Sequence, residues 1–358
     1  MPELSRREFA QLLGSSAAIA ALPLKASPQK AVRLGANENP YGPSPAALQA
    51  MRDAFSVACR YPGAEESALV AEIAGLHRVP ERQVLLGNGS SDIIRLAVAA
   101  FTGPQRAVVM ADPTFELAGL HASAAGTEVR RVPLDASYAL DAARMLEASR
   151  GAGLVYICNP NNPTATITPD KALRSFLASL PTDTVALVDE AYDHYATSSE
   201  YSSVIDLVAK RPNLIVSRTF SKIYGMAGLR CGYCIAQEPA ISRLSAQQNF
   251  NNMNVMALVA ARASLRDGQQ VTESRRRNSD TRAWLRQNVE RLGYRMLPSE
   301  ANFVMIDTGR DVKPLITSMR ANGVRVGRLF PAMPHHLRVT IGTPDEMRRF
   351  VEELGRIS

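Results

Sequence analysis

The sequence predicts an α/β protein: a large domain with a mostly parallel sheet covered by helices, joined to a smaller α+β domain. Three observations carry this. Short runs rich in Val, Ile and Leu alternate with helical stretches. Strands that are apolar on both faces belong to sheets covered on both sides. The runs break off into polar turns holding Pro, Gly or Asn, and in open α/β sheets ligands gather beyond the carboxyl ends of the strands. Beyond Gln247 the texture changes to a long helical region followed by isolated strands, the pattern of a second, smaller unit.

In chain order, Ser5-Arg6-Arg7-Glu8-Phe9 precedes a small-residue apolar stretch from Leu12 to Leu24. That order resembles a twin-arginine export signal, which places the protein in the periplasm; the alternative is an amphipathic arm on a cytoplasmic protein. Residues 1–30 are therefore set apart as signal or arm, 31–60 as a segment joining the small domain, 61–246 as the large domain and 247–358 as the small one. The Gly- and Pro-dense loop from Leu34 to Pro45 excludes regular structure. Helices are expected over 45–57 and 67–76, and Gly87-Asn-Gly-Ser-Ser-Asp opens a helix running to Phe101. Strands are expected over 107–111, 128–132, 154–158, 185–189, 213–217 and 232–236, with helices over 117–125 and 169–180. The small domain offers strands near 294–297, 302–306 and 337–341, and helices over 313–322 and 344–354.

The bulk numbers narrow the function. At 46% hydrophobic and 21% charged, the 358 residues have the composition of a globular protein. The net charge of +7 comes from scattered basic residues, which favours an anionic small molecule over nucleic acid. No run approaches the roughly 18 apolar residues of a membrane span. Cys231 and Cys234 have C-x-x-C spacing, but residues three apart on a strand point to opposite faces, so neither a metal site nor a disulfide is expected.

The chemistry centres on Lys222, one of six lysines. It follows a strand and lies among small hydroxyl residues, so its placement is informative. A lysine that is partly desolvated or has cationic neighbours can form an imine with an aldehyde cofactor. Thr219, Ser221 and Arg230 are donors suited to a phosphate. Ser90 and Ser91, at the start of a helix, make an anion site or an ordinary helix cap. Asp189 ends an apolar strand, where a carboxylate is costly unless a cation such as a protonated pyridine nitrogen faces it. Phe115 stacks on a ring or packs in the core; Asn162 and Tyr192 have hydrogen bonds to offer a ring hydroxyl. Arg338, in an apolar strand, either clamps a carboxylate or faces solvent from an edge.

Taken together, these segments resemble the histidinol-phosphate aminotransferase family of fold-type-I pyridoxal-phosphate aminotransferases. The resemblance runs from Leu34 to Thr343. It rests on Ala36-Asn-Glu-Asn-Pro-Tyr-Gly, Arg60-Tyr-Pro, Gly87-Asn-Gly-Ser-Ser-Asp, Asn159-Pro-Asn-Asn-Pro-Thr, Val188-Asp-Glu-Ala-Tyr, Thr219-Phe-Ser-Lys with Gly228-Leu-Arg, and Leu337-Arg-Val-Thr-Ile-Gly-Thr. It implies pyridoxal 5'-phosphate as cofactor and Lys222 as the Schiff-base lysine and proton shuttle. Asp189 then pairs with the pyridinium nitrogen, Asn162 and Tyr192 with the ring oxygen, and Phe115 stacks on the ring. Ser90, Ser91, Ser221 and Arg230 bind the phosphate, with Tyr61 reaching it from a second subunit, which implies a homodimer. Arg338 takes the substrate carboxylate and Tyr41 lines the side-chain pocket.

The chain departs from the family in three places. Ala165 stands where the family's turn has Gly, Ser91-Asp92 where it has Asp-Glu, and Gly327, flanked by Arg325 and Arg328, near the family's phosphate-binding arginine. The function expected is ping-pong transamination between an amino donor and a 2-oxo acid. The alternatives are a decarboxylase of the same fold or a binding protein without turnover.

Overall fold

The computed structural model describes residues 31–357, so the twin-arginine segment lies outside the described residues. Among the described residues twelve strands form three sheets. Strand β1 (Val32–Arg33) pairs in parallel with β11 (Val324–Arg325). The central sheet holds β2 (Val84–Gly87), β3 (Val108–Asp112), β4 (Val129–Pro133), β5 (Leu154–Cys158), β6 (Val185–Asp189), β7 (Leu214–Thr219) and β8 (Gly232–Ala236), in the order β2-β8-β7-β6-β5-β3-β4. Only β8 runs against its neighbours; the other pairings are parallel. An antiparallel sheet of β12 (His336–Thr340), β10 (Phe303–Asp307) and β9 (Arg295–Met296) lies in the C-terminal part.

The apolar runs become strands because both sheet faces are covered. Val155, Ile157, Ala186, Val188 and Val216 face one core; Leu154, Tyr156, Leu187 and Ile215 face the other. Each fully buried aliphatic side chain contributes about 1.5–3 kcal/mol. Cys231 belongs to the first core and Cys234 to the second, so the two sulfurs diverge across the sheet as the strand period requires. A separate core joins Val32 and Leu34 to Leu285, Val304, Leu337, Phe350 and their neighbours, so the start of the described chain is stitched to its C-terminal third.

The expected elements recur with shifted edges. The helix Pro45–Asp53 starts at an N-cap, Ser44, whose Oγ accepts from Ala47 N at 3.2 Å, and continues as a tight turn over Ala54–Val57. The next helix begins at Gly63, four residues before the expected start. Glu65 and Glu66 in its first turn favour the positive end of the helix dipole, a signal masked in the sequence by the adjacent Pro-Gly pair. Ala165 adopts φ 65°, so the turn does demand a left-handed residue; a Cβ there costs about 1–2 kcal/mol. No helix among the described residues is long and apolar enough to cross a membrane.

Candidate active site

The carboxyl ends of the parallel strands deliver the site. In register, Cys158 lies beside Asp189 and Asp189 beside Ser217, so β5 and β6 end together and β7 runs two residues further, to Thr219. Asp189 is 2% exposed. Its Oδ1 accepts from Ser217 Oγ and its Oδ2 from Tyr156 OH, both at 3.1 Å. Burial outweighs these bonds and pushes its carboxyl up to about 6. A carboxylate set at this depth calls for a cationic partner.

Past β7 the chain turns through Ser221 and Lys222. Lys222 Nζ donates to Asn37 O at 3.2 Å and lies 5.6 Å from the centre of the Tyr192 ring. Burial, and next the positive charge of Arg338, bring its amine down to about 8. The lysine is thus close to releasing its proton near neutrality, the condition for a nucleophile or base.

An anion cradle lies beside it. The helix Ser90–Phe101 starts after Gly89, at φ 79°, and its first amides are free of helical partners. Arg230 reaches across to it: Nη2 donates to Asn88 O at 3.0 Å and Nη1 to Ser221 Oγ at 3.2 Å. A Cβ at Gly89 would overlap this guanidinium, so glycine is what admits it. Among the described residues Arg230 bonds only neutral groups, which leaves its charge available to an anion. Asp92 does not crowd the cradle, because its carboxylate is held by Arg95, Asn88 N and Asn252.

Arg338, on β12, is buried although β12 is an edge strand. Its Nη1 donates to Asn162 Oδ1 and its Nη2 to Gly35 O, each at 2.7 Å, while Nε has no hydrogen-bond partner among the described residues. A buried guanidinium without a carboxylate is an incomplete pair, which suits an incoming carboxylate. Burial draws its pKa down to about 10.

Hydrogen bonds and charge interactions thus link Asn162, Asp189, Tyr192, Ser221, Lys222, Arg230 and Arg338, and Ser90 and Ser91 open the helix that Arg230 reaches. Phe115, half-buried, packs on the sheet face that carries Asp189. Tyr41 lies beneath the Arg277 guanidinium, 4.6 Å from its ring centre, in a small cleft that it shares with Asn302. Tyr61 is 82% exposed. Sequence reasoning missed Tyr156, Ser217, Asn302, Thr340 and Asn37. The last two sit inside the motifs quoted above, but their bonds join positions 303 residues apart.

A lysine of lowered pKa, a buried carboxylate needing a cation and an anion cradle are the three contacts that a pyridoxal phosphate requires of a protein. The family model for aminotransferase class I and II matches residues 29–354.

The chain belongs to the class I and II aminotransferases.

The protein is thus a transaminase whose cofactor is pyridoxal 5'-phosphate. It is 38% identical to a histidinol-phosphate aminotransferase of Symbiobacterium thermophilum over 90% of this chain and 89% of that one. It is 38% identical to histidinol-phosphate aminotransferase 2 of Pseudomonas aeruginosa, over 92% and 90%. Among solved structures, the histidinol-phosphate aminotransferase of Sinorhizobium meliloti in complex with pyridoxal-5'-phosphate superposes with a TM-score of 0.87 at 26% identity, covering 95% of this chain and 96% of that one. The aminotransferase fold expected from the sequence is the one found.

Proposed function

We propose that this aminotransferase moves an amino group from an α-amino acid to a 2-oxo acid by a ping-pong route, with Lys222 as nucleophile and proton carrier. The single observation that carries this is the placement of Lys222 just past β7, its amine bonded to Asn37 O at 3.2 Å and under the charge of the buried Asp189 that ends β6. When bound, the cofactor supplies an electron sink for charge developing at the donor's α-carbon. Asp189 would hold the ring nitrogen, Asn162 and Tyr192 the ring oxygen, and Phe115 a ring face. Ser90, Ser91, Ser221 and Arg230 would hold the phosphate. Arg338 takes the donor's carboxylate on its fork, which fixes the α-carbon next to Lys222. Steady-state kinetics test the route: double-reciprocal lines for donor and acceptor should be parallel, and intersecting lines exclude it.

The Asp189 carboxyl gives a pH dependence. With its pKa raised to about 6 before the cofactor arrives, the group is ionised above that pH and protonated below it. Pairing with a cation needs the ionised form. Cofactor affinity is expected to hold above pH 6 and to weaken about tenfold per unit below it. Equilibrium dialysis across pH 4.5–8 would show this, and a flat profile would remove Asp189 from the ring nitrogen.

The far end of the cleft bears on the donor. Gly327 N–H bonds Arg338 O at 2.9 Å, and a Cβ at 327 would stand 2.7 Å from that oxygen, so a side chain there would displace backbone. Arg328 lies over the Phe330 ring at 4.3 Å and pairs with Glu116, the neighbour of Phe115. A phosphorylated donor would have to displace Glu116 from Arg328, whereas a neutral side chain would leave that pair in place. Aromatic and aliphatic amino acids are therefore expected to react faster than histidinol phosphate, and Glu116→Gln to narrow the gap. The opposite order of rates would contradict this.

Tyr61, standing out from the single chain with exposed Phe55 and Phe250, would reach the phosphate in a second subunit's site. A homodimer follows from that reading, and a monomer by light scattering would contradict it. We place the enzyme in the periplasm on the Arg6-Arg7 motif; export should fail when both arginines become lysine, and a wild-type protein found in the cytoplasm would overturn the placement.

A further inference from the structure

Asn37 bonds Lys222, Tyr192, Thr340 and Asn302 at once. It is buried and has φ 55°, a left-handed conformation that asparagine tolerates better than most residues. Its backbone carbonyl accepts from Lys222 Nζ at 3.2 Å and from Asn302 Nδ2 at 3.1 Å. Its backbone N–H donates to Thr340 Oγ1 at 2.9 Å, which leaves the threonine's own proton for Asn37 Oδ1 at 3.3 Å. That pair of bonds settles the orientation of the amide: Nδ2 must face the other way, and there it donates to Tyr192 OH at 3.1 Å. Tyr192, 3% exposed, therefore receives a hydrogen bond from Asn37 and keeps its single proton for the opposite side.

We infer that Asn37 is a positioning residue: locked by Thr340, its amide sets the direction of the Tyr192 hydroxyl, so that the phenol can only donate into the cofactor site. This rests on the reading of Tyr192 as a donor to the ring oxygen. A donor there stabilises the deprotonated, anionic oxygen and holds down the pH at which the proton shared with Lys222 is lost. Without Asn37 the phenol is free to turn. The charged groups that bear on Lys222 are Arg338 and Arg230 on the positive side and Glu38 and Asp189 on the negative; Asn37→Asp adds a further negative charge, so Asn37→Gly and Thr340→Val, which add none, decide the matter.

The test is a pH titration of the bound cofactor's visible absorbance in the holoenzyme, for wild type, Asn37→Asp, Asn37→Gly and Tyr192→Phe. The new carboxylate of Asn37→Asp is nearly isosteric but accepts where the amide donated, so it should draw the phenol proton away. Its midpoint should rise by about one unit or more. Asn37→Gly accommodates the left-handed backbone, removes the bond, and should give a smaller rise. Turnover should fall about tenfold in Asn37→Asp with the donor KM within about threefold, because Arg338 is untouched. Should Asn37→Asp fail to fold, Thr340→Val, which replaces with a methyl the hydroxyl that bonds both the Asn37 N–H and its amide oxygen, should raise the midpoint on its own. A midpoint unmoved in Asn37→Gly and Thr340→Val, with Tyr192→Phe moved, overturns the inference alone. A midpoint unmoved in Tyr192→Phe overturns the reading of Tyr192 on which it rests.

Discussion

Lys222→Ala is expected to abolish the visible band of covalently held cofactor and to lower turnover by at least about 10⁴-fold, the upper end of what one proton-transferring group supplies. The lysine is both the attachment point and the only amine of lowered pKa in the cleft among the described residues. Folding should survive, because Nζ gives up bonds only to the carbonyls of Ala36 and Asn37. Added small primary amines should restore part of the rate, since they can enter the vacated space and carry the proton. Retention of the band and of turnover in Lys222→Ala would remove the lysine from the chemistry.

The second large effect is expected at Arg338. Arg338→Met should lower kcat/KM for α-carboxylate donors by about 10²-fold or more, the usual loss when one partner of a buried, hydrogen-bonded charge pair is truncated. Amines without a carboxylate should be affected far less, which separates recognition from collapse of the site. Arg338→Lys should not rescue, because one ammonium cannot reproduce the two directed bonds to Asn162 and Gly35. The variant also strands those two acceptors in a buried place, so it should unfold at a lower temperature. Equal losses with and without a donor carboxylate would mean that Arg338 supports the fold and does not clamp the substrate.

The large sheet was legible because its signal is local: apolar runs of strand length ending in polar turns reappear as β3, β5, β6 and β7. Asp189 and Lys222 stood out for the same reason, each being a costly group placed at a strand's end. What stayed hidden depends on segments far apart in the chain. The two-residue strands β1 and β11 exist only because they find each other, and the seven-residue helix Ala142–Ala148 is too short to show a period. The role of Asn37 needs Thr340 and Tyr192 beside it. Gly327 looked like an arginine lost; in the fold it is the residue that lets the chain press against Arg338. Nothing in the spacing of residues foretold that contact.

The most direct test of the account is a single half-reaction. Purified holoenzyme is mixed with one amino acid in excess and no oxo acid, while the cofactor's visible band, 2-oxo acid and carbon dioxide are followed together. Transamination predicts loss of the band with one 2-oxo acid released per site and no carbon dioxide, and recovery of the band when a second oxo acid is added. Carbon dioxide released in step with donor consumption, with the band returning unaided, would contradict it.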